Sequence, residues 1–309
     1  MAYSGRGRGG ARRRKVQQTC TKCRNHARLL IGCLEANSSA RAPAVATLLT
    51  EPLKGGIMRI VYLVPGPISK GALGAAELSR RTGILQRWTP AGAEITVQEV
   101  PEGPGSIESE YEEFLTLPST ARRVADLEQQ DVDAVILGCF GDPGMGALCE
   151  LTSRLVIVGP GAASFHLAAM LGESFGIVTV ADGVVRPLRH LAASTGLAGR
   201  LAGIAVVDTS VLELGDNPAA TAARAAEAAI KLVDDRGADT IVLGCMSMAF
   251  LDLGPAIEAK TGVPVVNPVQ AALMIAHGRA SFGVRHSKVA YPTPRKMAGG
   301  ASLADLFVH

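Results

Sequence analysis

Two segments of this chain, 106 residues apart, repeat the same pattern and each end in a cysteine. The segments are Asp133-Ala-Val-Ile-Leu-Gly-Cys139 and Asp239-Thr-Ile-Val-Leu-Gly-Cys245. Each contains a short apolar run that ends at a glycine, which is typical of a buried strand. We therefore predict a duplicated structure that carries one thiol at the end of a strand in each half.

Two thiols that face one cleft can exchange a proton at an acidic carbon without a cofactor, because one acts as a thiolate base and the other as a thiol acid. The alternative is that Cys139 and Cys245 are two buried structural cysteines, since free cysteine is among the most buried residue types. The matched context of the two segments favours the chemical interpretation.

Strands alternate with helices after residue 57. The predicted strands are Ile60–Val64, Glu94–Val100, Val132–Leu137, Leu155–Val158, Gly176–Val180, Gly203–Asp208, Thr240–Leu243 and Val263–Val266. The predicted helices are Ala72–Arg81, Glu108–Gln130 with a break near Pro118, Ala162–Leu171, Val184–Thr195, Ala219–Arg236 and Val269–His277. This alternation predicts an α/β fold of two pseudo-symmetric lobes, each with a mostly parallel sheet flanked by helices and with the active site in the cleft between them.

The charge is divided unevenly along the chain. Residues 1–57 hold 11 of the 31 Lys and Arg residues but 2 of the 28 Asp and Glu residues, a net charge of about +9. The remaining body carries about −6, which argues against nucleic-acid binding by the body. Its three cysteines are too sparse for a disulfide framework, so we expect a reducing, cytoplasmic location. No apolar run approaches the length of a membrane span, and we see no clear signal peptide.

Residues 1–57 are predicted to be a basic, mostly disordered extension. Three interpretations stay open for them. In the first, the working protein starts at Met58 and lacks the extension. In the second, the extension is an organelle transit segment. In the third, zinc is bound by Cys20, Cys23, His26 and Cys33.

Several motifs of the body resemble one family. Gly138-Cys-Phe-Gly-Asp-Pro-Gly144 and Leu243-Gly-Cys-Met-Ser-Met-Ala249 look like the two cysteine motifs of the aspartate/glutamate/hydantoin racemase superfamily. Ala163-Ser-Phe-His166, Val211-Leu-Glu-Leu214 and Tyr291-Pro-Thr-Pro-Arg-Lys296 are similar to text of its hydantoin/allantoin racemase branch.

This resemblance implies a cofactor-independent racemase of 5-substituted hydantoins or allantoin, with Cys139 and Cys245 as opposed acid and base. It also implies discontinuous lobes, one from residues 58–165 plus 275–309 and the other from 166–274. The alternatives are an amino-acid racemase or a cis-trans isomerase of the same superfamily, or a ligand-binding relative without turnover. Relatives that only decarboxylate arylmalonates keep one of the two cysteines, whereas both are present here.

The loop after the first strand departs from the branch pattern. The branch usually has an Asn-Thr-rich loop there, whereas this chain has Pro65-Gly-Pro-Ile-Ser-Lys70. The second motif also has Ser247 where glycine is frequent. Both departures leave the ring substituent and the enantiomer preference open.

The loops at the carboxyl ends of the strands supply the remaining candidates. We expect Asp142-Pro143 to start a helix, with Asp142 as its N-cap, so that the helix supports the Cys139 thiol. The predicted substrate contacts are Ser69, Phe140, Gly141, Thr179, Met246, Ser247 and Asn267. The body shows no convincing spacing for a metal or a nucleotide, so we expect no metal and no cofactor. A homo-oligomer is the default expectation for such an enzyme.

Overall fold

The computed structural model describes residues 56–300 of the chain. These residues form two four-stranded parallel sheets with helices packed on them, which confirms the predicted two-lobed α/β fold. The predicted extension lies almost wholly outside the described residues, and so does the candidate zinc set within it. None of the helices between residues 56 and 300 has the length and apolar content that a membrane crossing requires.

The two sheets have the same topology. The strands are β1 (Met58–Val64), β2 (Ala93–Glu99), β3 (Ala134–Leu137), β4 (Val156–Val158), β5 (Phe175–Thr179), β6 (Leu201–Val206), β7 (Thr240–Leu243) and β8 (Val265–Val266). The first sheet has the order β2-β1-β3-β4 and the second has the order β6-β5-β7-β8. The strands β3 and β7 therefore occupy equivalent places, and the two cysteine segments follow them.

Residues 56–300 contain ten α-helices. They are α1 (Gly74–Trp88), α2 (Glu110–Glu128), α3 (Met145–Leu151), α4 (Pro160–Leu171), α5 (Val185–Ser194), α6 (Pro218–Arg236), α7 (Met246–Phe250), α8 (Gly254–Thr261), α9 (Pro268–Ser281) and α10 (Arg295–Ala298).

The core has three parts because side chains alternate between the two faces of each strand. From β1, Ile60 and Tyr62 enter a central core, whereas Val61 and Leu63 enter an outer core of the first lobe. The second lobe has its own outer core, to which four alanines of α6 contribute. The central core contains side chains from both sheets, so it joins the two lobes.

Two helices cross from one half of the chain to the other. The helix α4 follows β4 of the first sheet but packs against β7 and β5 of the second. The helix α9 follows β8 of the second sheet but packs against β3 and β4 of the first. Phe165 of α4 stacks on Phe175 of β5, with ring centroids 5.2 Å apart. The boundaries of the discontinuous lobes stay a prediction, and these contacts are the observations that bear on them.

The predicted break near Pro118 is wrong. The helix α2 continues through this residue. Pro118 lies on the exposed face, where water can solvate the carbonyl group that loses its helical hydrogen bond. The helix α8 was not predicted, although Pro255 in its first turn and Gly262 after its end are ordinary boundary signals.

Candidate active site

Both cysteines of the repeated segments line a single cleft. It lies at the carboxyl ends of the central strands of both sheets and has a volume of about 700 Å³, including space that opens to solvent. Most of its lining is apolar. Among the predicted site residues, the ones that line it are Cys139, Phe140, Gly141, Cys245, Met246 and Ser247.

Cys139 is buried in the turn after β3. Burial raises the pKa of its thiol well above the ordinary value, and the neighbouring Glu113 raises it further. A hydrogen bond from the Gly141 backbone N–H opposes this shift. The surroundings of Cys139 therefore favour the neutral thiol.

Cys245 occupies the residue before α7 and is partly exposed. Burial raises the pKa of this thiol too. The opposing contributions are more numerous here, with hydrogen bonds from the Met248 and Ser247 backbone N–H groups, the charge of Arg81 and the Ser247 hydroxyl. The backbone N–H groups of both cysteine loops are therefore directed at the sulfur atoms.

Tyr62 lies close to both thiols. Its ring belongs to the central core and meets Phe250 edge-on at 5.8 Å between centroids. Burial raises the pKa of its hydroxyl, and both Cys139 and Cys245 contribute to the rise. Because both sulfur atoms affect the pKa of the same hydroxyl group, the two thiols lie near each other across the cleft.

Arg81 of α1 is a cleft residue that sequence patterns did not indicate. Its side chain is buried, and its Nη2 atom donates to the Ser247 Oγ atom at 3.0 Å. Its Nε atom donates to Glu77 Oε1 at 2.7 Å, and the guanidinium lies 5.1 Å from the centre of the Phe250 ring. Because Arg81 and Ser247 are 166 residues apart, no local pattern could reveal the contact.

Glu113 of α2 also lines the cleft without having been predicted. Its carboxyl group packs on Gly141, where any Cβ atom would collide with it. Burial raises the pKa of Glu113 to about 7. The contacts between Ser109 and Glu112 mark the start of α2, but such a signal does not indicate that the next residue, Glu113, faces a cleft.

Asp142 caps a different helix from the one predicted. The helix α3 starts at Met145, because Asp142 and Gly144 have left-handed backbone angles (φ 52° and 69°) that delay it. The buried Asp142 carboxylate instead accepts hydrogen bonds from the backbone N–H groups of Gly161 at 2.9 Å and Ala162 at 2.8 Å. It therefore ties the Cys139 loop to the start of α4.

Three predicted substrate contacts lie outside the cleft lining. Thr179 is fully buried and its hydroxyl donates to the Gly244 carbonyl at 3.1 Å. Asn267 caps α9 and its Nδ2 atom donates to the Ala249 carbonyl at 3.1 Å. Ser69 donates its backbone N–H to Glu99 Oε1 at 2.8 Å. The hydrogen bonds of Thr179 and Asn267 therefore fix the backbone on either side of Cys245, at Gly244 and Ala249, without lining the cleft.

The loop after β1 contributes apolar surface. Pro65, Gly66 and Ile68 line the cleft, where an Asn-Thr-rich loop would present polar groups. Within residues 56–300, no group of three or more His, Cys, Asp or Glu side chains is arranged to hold a metal ion. Besides the two thiols, the polar side chains that line the cleft are Arg81, Ser106, Glu113 and Ser247.

Known proteins are similar to this chain in sequence and in fold. A model of the Asp/Glu/Hydantoin racemase family matches residues 82–276. A hydantoin racemase from Paenarthrobacter aurescens is 31% identical over 232 residues, which cover 75% of this chain and 94% of that protein. A hydantoin racemase from Pseudomonas sp. strain NS671 is 33% identical over 200 residues, which cover 64% of this chain and 79% of that protein.

A solved structure of an allantoin racemase is similar to this chain as well. The allantoin racemase from Pseudomonas fluorescens superposes with a TM-score of 0.69 at 29% identity, and the match covers 77% of this chain and 97% of that one. The family match alone spans more than half of this chain. The chain therefore belongs to the Asp/Glu/Hydantoin racemase family and is a racemase, an enzyme of the isomerase class.

Proposed function

We propose that this enzyme racemises 5-substituted hydantoins or allantoin by proton exchange between Cys139 and Cys245, without a cofactor. The observation that carries the proposal is that the two thiols follow equivalent strands of the two sheets and line the same cleft. Racemisation converts either enantiomer into the other at one carbon atom, so it needs a proton-transfer group on each face of that carbon. Two thiols at matching positions of two pseudo-symmetric halves suit this requirement.

The proposed reaction has two proton transfers. The thiolate of one cysteine takes the proton from the substituted ring carbon, and the electron pair of the C–H bond moves into the adjacent carbonyl to form an enolate. The thiol of the other cysteine then delivers its proton to the opposite face and keeps the electron pair on sulfur. One turnover inverts the carbon and exchanges the protonation states of the two sulfur atoms.

The lining of the cleft supports a neutral ring as the substrate. Among the described residues that line the cleft, Arg81 is the only Lys or Arg and Glu113 is the only Asp or Glu. Arg81 is already paired with Glu77 and Ser247, which leaves it poorly suited to hold a substrate carboxylate. Glu113 can accept a hydrogen bond from a ring N–H group, and its ionised form repels anions. These features weigh against an amino-acid racemase or an isomerase of diacids.

The loop after β1 supports a preference for an apolar 5-substituent. Pro65, Gly66 and Ile68 offer no side-chain donors to the cleft. A substrate whose 5-substituent is apolar loses fewer hydrogen bonds to water when it contacts this loop than the ureido group of allantoin does. We therefore expect alkyl or aryl hydantoins to be turned over more efficiently than allantoin.

The test is proton NMR in D₂O, which follows loss of the ring hydrogen together with optical inversion. Each enantiomer of allantoin and of several 5-alkyl and 5-aryl hydantoins is tested with the wild type, C139S and C245S. We expect inversion with exchange in the wild type and a loss of inversion in both variants. C149S is the matched control, because Cys149 is a buried free cysteine outside the cleft lining.

Each other outcome contradicts a defined part of the proposal. Exchange that survives both C139S and C245S would reject the cysteine assignment. No exchange with any hydantoin would reject the substrate class and turn attention to amino acids and to a ligand-binding role. Loss of activity after exhaustive dialysis against a chelator would contradict cofactor independence. Because both thiols must stay reduced, we propose a reducing compartment such as the cytoplasm.

A further inference from the structure

The two thiols of the cleft have opposite electrostatic neighbours. Arg81 lies on the side of Cys245 and Glu113 lies on the side of Cys139. Each charge comes from a different helix of the first half of the chain, α1 and α2. The pseudo-symmetry of the sheets is therefore not matched by symmetry of charge.

On the side of Cys245, three groups favour a negatively charged sulfur. The backbone N–H groups of Ser247 and Met248 donate hydrogen bonds to it. Arg81 holds the Ser247 hydroxyl at 3.0 Å, which places a buried positive charge next to the thiol. The arginine is itself fixed by Glu77 and by the Phe250 ring, so its position is well defined.

On the side of Cys139, the neighbours disfavour a negative charge. The Glu113 carboxyl packs directly on Gly141, two residues after the cysteine. Asp142 adds a second carboxyl group, although its charge is partly offset by the N–H groups of Gly161 and Ala162. One backbone N–H, that of Gly141, donates to this sulfur. The remaining titratable groups near both thiols are Tyr62 and the opposite thiol.

From this arrangement we propose that Cys245 loses its proton first and is the resting base, while Cys139 remains protonated as the resting acid. The proposal rests on the two-thiol exchange of the proposed function. It assigns Arg81 and Glu113 as positioning residues that act through the thiols. The directions of the pKa shifts agree with this assignment. Burial and Glu113 raise the pKa of Cys139 well above its ordinary value. Burial raises the pKa of Cys245 too, but hydrogen bonds and Arg81 oppose that rise.

The two enantiomers then meet the free enzyme differently. The one whose ring hydrogen faces Cys245 reacts with the resting form. The other requires Cys139 to be the thiolate, a form that is scarce before substrate binds. The ratio kcat/KM must nevertheless be equal for the two enantiomers at every pH, because their equilibrium constant is one. The asymmetry is therefore measured on the thiols themselves.

The test measures thiol alkylation without any substrate. The full-length protein is treated with iodoacetamide over a range of pH, and peptide mass mapping gives the rate at each cysteine. For each cysteine, the midpoint is the pH at which the alkylation rate reaches half of its maximum. Midpoints are compared instead of rates, because Cys245 is also the more exposed thiol and exposure affects the rate. We expect the midpoint of Cys245 to lie at least about one pH unit below that of Cys139.

Charge variants separate this proposal from a purely steric difference. E113Q is expected to lower the midpoint of Cys139 more than that of Cys245. E110Q is the matched control, because Glu110 lies in the same helical turn, is exposed and is outside the cleft lining. R81M is expected to raise the midpoint of Cys245, and R81K is expected to restore most of it. Circular dichroism and thermal melting check that each variant is folded.

Two results would overturn the proposal: equal or reversed midpoints in the wild type, or a midpoint of Cys139 that E113Q does not move. Because no substrate is present, the order of ionisation is decided independently of turnover. A lower midpoint for Cys245 in a protein that exchanges no hydantoin would support the charge assignment and reject the proposed substrate class.

Discussion

The Asp142 carboxylate occupies the space that a side chain at Gly159 would need. It reaches the start of α4 from the Cys139 loop, 19 residues earlier in the chain. In the second half, Asn267 stands in the place of Gly159 and makes the corresponding link from the opposite end, through its hydrogen bond to Ala249. The first half thus connects its cysteine loop to the start of α4 through Asp142, whereas the second half connects the segment after Cys245 to the start of α9 through Asn267.

We expect G159A to destabilise the protein by about 1–3 kcal/mol, because the new Cβ atom collides with Asp142. Gly159 has φ of −86°, which alanine adopts without strain, so the effect is one of packing alone. Urea unfolding measures it. G146A is the control: its Cβ atom meets no neighbour within 4 Å, so within α3 it should be neutral or stabilising. Equal stability of G159A and the wild type would contradict the contact.

We expect T179V to cost about 1 kcal/mol of stability and also to reduce turnover. Valine keeps the volume but loses the hydrogen bond to the Gly244 carbonyl, which precedes Cys245. T221V is the matched control, since the buried Thr221 hydroxyl donates to Leu214 at 3.0 Å and lies outside the cleft lining. Both variants should lose similar stability, whereas T221V should keep its turnover. Equal turnover of the two variants would show that Thr179 does not position the Cys245 loop.

The folded protein should lose stability relative to E113Q as the pH rises from about 4.5 to about 7. Burial raises the pKa of Glu113 from 4.5 to about 7, so the folded state keeps this proton over a range in which the unfolded state releases it. Stability then falls with rising pH and levels off above the folded pKa. Urea unfolding at several pH values tests this, with E110Q as the control. A difference between wild type and E113Q that stays constant with pH would contradict the shift.

Racemisation should become faster with increasing pH beyond neutrality. Burial raises the pKa of both thiols above the ordinary value of cysteine, so the thiolate fraction is small at neutral pH and grows through the alkaline range. The measurement is kcat/KM against pH for each enantiomer, after subtraction of the spontaneous rate without enzyme. A plateau already reached below pH 7 would mean that the thiols ionise more readily than their burial implies.

The parts of the fold that were predictable from sequence depend on short-range patterns. The run Thr240–Leu243 was predicted with its observed bounds, because a buried parallel strand is continuously apolar and ends at a glycine. The equivalence of β3 and β7 followed from the repeat. The start of α3 was missed, because Asp142 and Pro143 form an N-terminal signal that the left-handed backbone of Asp142 and Gly144 overrides.

The parts of the site that were not predictable depend on long-range contacts. Arg81 and Glu113 enter the cleft from helices that precede the cysteines by 26 to 164 residues, and each looks like an ordinary surface charge of an amphipathic helix. Thr179 and Asn267 were expected to face the cleft because they follow strands. Instead their polar groups satisfy buried carbonyls, a demand that arises only once the chain is packed.

The exchange of α4 and α9 between the halves limits how this molecule can move. The chain enters the helix that covers each sheet from the other half, and the central core contains side chains of both sheets, so separation of the halves would uncover this shared core. We therefore expect a substrate to enter past the loops that line the cleft, 65–70 and 104–107, with little separation of the lobes. We expect the distance between the two sulfur atoms to be set by this shared core, because each cysteine follows a central strand packed against it.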